Sequence, residues 1–254
     1  MRLGPFSFQG KRALVTGGSR GIGAVIAKSF ASCGADVFIN YREDDRSAQS
    51  TLLEIEAAGG SATLCKANLA HPEEIREMFQ RIGDSGALHV LVHSAAMGVF
   101  KPVMDLRSNQ WDLSLSINTR ALLLCAQEAA KLMQKEGGKI VSISSLGSRR
   151  YVPSYGAMGI SKAALESLTQ YLAAELAPFR INVNAVSAGL IDTPSVRLHP
   201  HYRQMEERAR QESTSGRVGR PEDIAPIVLF LCSPLSEWIN GQTVVADGGM
   251  SLMI

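Results

Sequence analysis

RALVTGGSRGIGAVIAKSFAS, residues 12–32, is the stretch whose reading decides the fold. Arg12 to Thr16 is a short apolar run that reads as a strand, Gly17, Gly21 and Gly23 interrupt it, and Ala24 to Ser32 has helical apolar spacing. The three glycines form GxxxGxG rather than GxGxxG, with the same mechanics. Glycine lets the backbone turn tightly and approach a pyrophosphate, while the helix N-terminus offers unpaired N–H groups to the anion. A strand before the loop and a helix after it turn a weak glycine signal into an expectation of dinucleotide binding. Gly17, Ser19, Arg20, Gly21, Ile22 and Gly23 are the expected contacts.

Downstream, Asp36 to Asn40 is a second strand that ends at Tyr41 and Arg42. A carboxylate at this point would hold a ribose 2′-hydroxyl and repel a 2′-phosphate, and the strand end carries no acid before Glu43. Arg20 and Arg42 are placed instead to embrace a phosphate with charge-assisted hydrogen bonds, which favours NADP(H), with Tyr41 beside them.

The alternation then continues. A helix over Arg46–Ala58 leads to a strand over Ala62–Lys66 with Asn68 and Leu69 at its end. A helix over Pro72–Ile82, opened by Glu73 and Glu74, leads to a strand over Val90–Val92. His93, Ser94, Ala95 and Ala96 close that strand, and the small residues let a cofactor pack against backbone at Ser94 and Ala95. His93 reads as a core or surface histidine. Trp111–Lys135 is the longest helical segment. Asn118 within it must satisfy its amide, either by bending the helix onto a backbone carbonyl or by holding a water.

Lys139 to Ser145 is a buried strand, and Ala163–Leu176 a helix. Between them Ser145, Tyr155 and Lys162 gather a hydroxyl, a phenol and an amine near one strand end. A phenol beside a fixed ammonium gives its proton more easily than one at its reference value of about 10. A sixth strand over Ile181–Val186 runs into a loop, Ser187 to Pro194, in which Gly189, Ile191 and Thr193 reach toward the nicotinamide end. From about residue 190 to 219 the chain is polar and only partly helical, as expected of a substrate lid. Pro221–Leu231 is a helix and Gln242–Ala246 the last strand. Seven strands alternating with helices predict a single α/β domain over 1–254, a Rossmann-like doubly wound parallel sheet with ligands at its carboxyl edge.

Composition narrows the classes. The chain has 254 residues, 45% of them hydrophobic, and a formal charge of +2. Nothing in that balance calls for nucleic acid or a membrane surface. Cys33, Cys65, Cys125 and Cys232 are far apart and read as reduced core thiols, with no metal site. MRLGPFSFQGKR lacks the apolar core of a signal peptide, so a cytoplasmic location is expected.

TGGSRGIG (16–23), SINT with Asn118, SISS (142–145), the tyrosine, the lysine and DGG (247–249) occur together in an order that resembles the short-chain dehydrogenase/reductase family over essentially the whole chain. The resemblance implies that Ser145 polarises the substrate oxygen, Tyr155 is the acid, Lys162 binds the nicotinamide ribose and lowers the tyrosine pKa, and Asn118 holds a relay water.

The common YxxxK spacing is absent, because Met158 stands four before Lys162 and Tyr155 seven before it. In one regular helix those two would share a face but lie about 10 Å apart along the axis. Tyr155 must therefore lie in the approach to the helix, which Gly156 and Gly159 permit; Tyr151, eleven before the lysine, is the competing phenol. The YxxxxxxK spacing, with SSLGSRRYVPSYGAMGISKAALESL, is similar to the enoyl-acyl carrier protein reductases of the type III (FabL) kind. That resemblance implies NADPH, a trans-2-enoyl thioester on acyl carrier protein as partner substrate, fatty-acid synthesis, and a homotetramer paired through the long helices. Arg149, Arg150 and the lid arginines would form the docking edge for an acidic carrier. The rivals are a 3-oxoacyl thioester or other carbonyl reductase, and an NADP(H)-binding protein without turnover.

Overall fold

The computed structural model describes residues 6–252, so the reading of the first five residues as no signal lies outside it. Seven strands form one sheet in the order β3-β2-β1-β4-β5-β6-β7. They are β1 Arg12–Thr16, β2 Asp36–Tyr41, β3 Ser61–Lys66, β4 Val90–His93, β5 Gly138–Ser145, β6 Ile181–Ala188 and β7 Thr243–Ala246. Every neighbouring pair is parallel. The order reverses between β1 and β4, and a crevice for a ligand opens beyond the carboxyl ends of strands at such a switch point.

Helices cover both faces: α1 Gly21–Ser32, α2 Asp45–Ala57, α3 Pro72–Asp84, α4 Ser108–Leu115, α5 Ala121–Met133, α6 Gly156–Leu176, α7 Tyr202–Glu212 and α8 Pro221–Cys232. On one face Leu14, Leu91, Ile140 and Val183 of the strands pack with Ile75, Leu122 and Leu165 of α3, α5 and α6. On the other, Val15, Val92, Val141 and Val186 pack with Ile26, Phe30, Ile224 and Val228 of α1 and α8. Residues alternate between two cores, so both sides of each central strand are apolar, as a parallel sheet with two covered faces requires. Cys65, Cys125 and Cys232 are buried free thiols and Cys33 is half-buried. Among the described residues no cluster of metal-binding side chains occurs and no helix is long and apolar enough to cross a membrane.

Two elements differ from the sequence expectation. The single helix over Trp111–Lys135 is instead α4 and α5 joined by a π-turn at Ser116–Arg120, with Asn118 inside the turn. The helix expected from Ala163 begins at Gly156 and runs 21 residues. Glycine is a poor helix former, but here the missing side chains let α6 close on its neighbours: a Cβ on Gly159 would stand 2.4 Å from the Gly147 carbonyl oxygen.

The β1–α1 loop is built by contact. Gly17 has φ +62°, and a Cβ there would lie 2.8 Å from the Ala95 Cα; one on Gly23 would lie 2.2 Å from the Gly17 oxygen. We predict that Gly23→Ala destabilises the fold by about 2 kcal/mol through overpacking and abolishes dinucleotide binding. Urea denaturation checks it, and a wild-type midpoint would contradict this packing.

Candidate active site

The crevice at the switch point fits a dinucleotide. Arg20 precedes α1 in extended conformation without a side-chain cap, and the first turn of α1 holds no acid. Its N–H groups are therefore free for a pyrophosphate. Thr193, at the start of the lid, lies 3.6 Å from where a Cβ on Gly21 would be, so the loop after β6 flanks the same trough. Asn40 fixes the floor: it donates to the Cys65 and Ala67 carbonyls and accepts from Gly17 N–H at 3.4 Å. Asn68 donates its N–H to Glu74 and accepts from Ala70, which shapes the turn at the end of β3 with Leu69 buried beside it.

The arginines sit where the sequence places them, but each has an acid. Arg20 is 60% exposed and 3.7 Å from Asp44, while Arg42 bonds Glu43 at 2.8 Å. Asp44 is also the cap of α2, accepting from Ser47 N–H, and Tyr41 donates to Asp45. A 2′-phosphate would enter by exchanging exposed, weak ion pairs for stronger charge-assisted bonds.

At the ends of β1 and β4 a hydrogen-bond chain joins the two halves of the sheet. His93 is fully buried; its Nε2 faces the Ile117 carbonyl and so carries the proton, while Nδ1 accepts from the Thr16 hydroxyl at 3.1 Å. Thr16 in turn accepts from Ala95 N–H. Burial, and then the Lys162 ammonium, push the His93 imidazole down to about 3, so it is a neutral strut. Asn118 is likewise filled: its amide accepts from Met97 N–H at 2.8 Å and donates to the Met97 carbonyl and to Ser161 Oγ. The side chain ties the loop after β4 to α6.

Ser145, Tyr155 and Lys162 converge on the last residues of β5. The chain passes through a left-handed turn at Ser154, φ +57°, a conformation that costs a non-glycine residue about 1 kcal/mol. Tyr155 follows as the residue preceding α6, in the approach rather than in the helix, with Lys101 bridging its backbone. Its ring rests on Gly147, where a Cβ would stand 2.5 Å from Tyr155 Cδ1 and 3.7 Å from Ser145 Oγ. Tyr151 is 89% exposed and Met158, in the place of the commoner tyrosine, turns its sulfur toward Gly98 and Asn118.

Lys162 is buried, donates to the Ile143 carbonyl at 2.7 Å, and is held down to about 8 by burial. Burial raises the Tyr155 phenol above its ordinary value and the facing Ser145 hydroxyl offsets part of the rise. The Lys162 ammonium is turned to the Ile143 carbonyl and is not among the groups that shift the phenol, so its expected lowering of the tyrosine pKa does not come from this arrangement.

Sequence reasoning missed the support beneath this group. Glu166, one helical turn after Lys162, accepts from Ser144 at 2.6 Å, Ser148 at 2.6 Å and Arg149 at 2.8 Å. It anchors both ends of the 3₁₀ turn Leu146–Ser148 on which Tyr155 lies. An acid at i+4 from a buried lysine was the available signal.

The lid is latched at its base, where Asp192 takes a two-pronged bond from Arg197 and one from Tyr202. Its other arginines are mostly paired too: Arg208 with Glu212, Arg210 with Glu206 and Arg217 with Asp223. Arg149 belongs to Glu166. Among the described residues Arg150 and Arg203 form no ion pair.

A family model described as enoyl-(acyl carrier protein) reductase matches residues 17–251, and the chain belongs to that family of short-chain dehydrogenases/reductases. It is an oxidoreductase. 1-Cyclohexenylcarbonyl-CoA reductase of Streptomyces collinus is 38% identical over 244 residues, covering 95% of this chain and 87% of that protein. NADPH-dependent aldehyde reductase 2, chloroplastic, of Arabidopsis thaliana is 35% identical over 98% of this chain and 96% of its own. Among solved structures, a short chain dehydrogenase from Burkholderia cenocepacia in complex with NADP superposes with a TM-score of 0.89 at 38% identity, covering 96% of this chain and 99% of that one.

A buried ammonium depressed from 10.5 to about 8 costs the folded state on the order of 3 kcal/mol at neutral pH. The folded form binds fewer protons between those values, so the cost is full below pH 8 and vanishes as pH rises past 10.5. Lys162→Met should therefore raise the melting temperature of the ligand-free protein by several degrees at pH 7 while destroying activity. A lower melting temperature would show that the Ile143 bond outweighs the burial cost.

Proposed function

We propose that this protein reduces trans-2-enoyl thioesters with NADPH. Bound NADPH supplies the hydride, which goes to the β-carbon. As negative charge gathers on the thioester oxygen, Tyr155 and Ser145 donate hydrogen bonds to it, and the α-carbon then takes a proton from solvent water, so that one hydride and one proton saturate the bond. Lys162, released from the Ile143 carbonyl, would hold the ribose and so orient the nicotinamide. Arg20 and Arg42 hold the 2′-phosphate.

The observation that carries this reading is the placement of Tyr155. A phenol standing before the helix, seven residues from the lysine rather than four, with its ring on Gly147 beside Ser145, suits hydrogen-bond donation to an enolate oxygen. Full proton transfer to a ketone alkoxide is favoured by a lowered phenol pKa. The Streptomyces relative supports it, since a 1-cyclohexenylcarbonyl group carries its double bond conjugated to the thioester carbonyl. The family description favours acyl carrier protein as the carrier, and with it fatty-acid synthesis. We also infer a homotetramer: Leu113 of the short helix α4 and Tyr171 of the long helix α6 are large hydrophobic side chains left exposed.

The aldehyde reductase relative favours the second reading, a carbonyl reductase. NADPH oxidation with crotonyl and acetoacetyl thioesters side by side, each on coenzyme A and on carrier protein, separates the two. The crotonyl thioester should be reduced at least tenfold faster; a faster acetoacetyl thioester would replace the enoyl reading with the carbonyl one. In fluorescence titration NADPH should bind at least tenfold more tightly than NADH, about 1.4 kcal/mol, and equal constants would remove the role of the two arginines.

A further inference from the structure

His199 lies in the lid, yet only 3% of its surface is exposed, and its ring is held by two backbone groups of opposite character. Nε2 faces the Pro153 carbonyl at 2.9 Å, and Nδ1 faces the His201 N–H at 3.1 Å. A carbonyl can only accept and an N–H can only donate, so the ring must present one proton and one lone pair: the neutral Nε2–H tautomer. The ring centroid stands 4.7 Å from Phe100 and 6.4 Å from Tyr155. Pro153 has a fixed φ, so the direction of its carbonyl sets the next peptide, the left-handed Ser154, and through it Tyr155. The base latch at Asp192 is made within the lid itself; the His199–Pro153 bond ties the lid to the turn that delivers the phenol.

We propose that His199 is a positioning residue for Tyr155, coupling closure of the lid to the placement of the phenol, and that it works only while its ring is neutral. The inference rests on the role given above to Tyr155. The titratable groups facing His199 are His201 from the lid, with ring centroids 5.8 Å apart, and Tyr155 from the approach to α6; Phe100, from the segment before α4, carries no charge. Among the described residues no carboxylate pairs with it. A protonated ring would set a second N–H against that of His201 with no counter-charge. Burial, and then His201, hold its pKa below the ordinary histidine value, with the Pro153 bond opposing. The two-sided hold is therefore intact at neutral pH; as pH falls through that depressed pKa, protonation at Nδ1 breaks the bond from the His201 N–H, and with it the hold of the lid on the ring, while the Nε2–H bond to the Pro153 carbonyl remains.

Two variants test this. His199→Gln keeps an amide N–H in reach of the Pro153 carbonyl but does not titrate, and His199→Phe keeps an aromatic ring against Phe100 without the bond. With NADPH and crotonyl thioester, His199→Phe should lower kcat about tenfold and leave the NADPH Kd within twofold. His199→Gln should retain kcat within about threefold and flatten the acid limb of the kcat profile below pH 6.5. The protection factor of the Tyr155 amide, which is bonded to the Val152 carbonyl, measured without turnover and referred to the intrinsic exchange rate at each pH, should be lower in His199→Phe and in wild type at pH 5.5 than in wild type at pH 7.5. Unchanged kcat and exchange in His199→Phe, or an acid limb that persists in His199→Gln, would overturn the proposal. The exchange readout needs no substrate, so a wrong assignment of the reaction leaves it standing and is distinguishable from a wrong assignment of His199.

Discussion

Where the first turn of α6 crosses the loop after β5, Gly159 lies so close to the Gly147 carbonyl that a single carbon added to either residue would meet backbone or the Tyr155 ring. That contact sets the depth at which α6 sits on the sheet, and three consequences follow from it. Lys162 enters at the level of the Ile143 carbonyl, the Tyr155 ring is set against Gly147 beside Ser145, and Glu166 reaches the two serines and the arginine that hold the loop. A larger residue at either glycine would lift the helix and separate the three groups together.

Several features of the site run against stability. An ammonium is buried with a carbonyl for its partner, a serine is held in a left-handed turn, and the α1 N-terminus is left uncapped. Each is tolerated because the surrounding core over-determines it: the two apolar layers, the His93 strut and the Asn118 amide leave these residues no other place. Each also leaves a group able to engage a ligand. The uncapped N–H groups can engage an anion, and Lys162 can exchange its carbonyl for a ribose hydroxyl. The phenol is the exception, since its donor proton is kept by burial rather than shed to a neighbouring charge.

The architecture was legible because a two-faced parallel sheet writes itself as apolar runs such as Val90–Val92 and Ile181–Val186, punctuated by glycine and separated by helical periods. The placement of Tyr155 before the helix was legible as well, from the spacing to Lys162 and the adjoining glycines. What escaped depends on contacts between distant residues. The π-turn arises where Asn118 bonds Met97, 21 positions away, and no local pattern encodes it. The early start of α6 contradicts the propensity of Gly156 and Gly159 because packing overrides it. The direction of the Lys162 ammonium, toward Ile143 rather than toward the phenol, is a matter of rotamer and burial. The acids at Asp44 and Glu43 were visible as letters, but their pairing with Arg20 and Arg42 follows from the turn into α2.

The account depends most on Tyr155 being the group that meets the substrate oxygen from an unusual position in the chain. The direct measurement is NADPH oxidation at saturating crotonyl thioester by Tyr155→Phe and Tyr151→Phe, with NADPH binding measured on both. Tyr155→Phe should lose about a hundredfold in kcat with the cofactor Kd nearly unchanged, and Tyr151→Phe, which removes a solvent-exposed phenol, should keep most of its activity. Full activity in Tyr155→Phe, or a hundredfold loss in Tyr151→Phe, would contradict it.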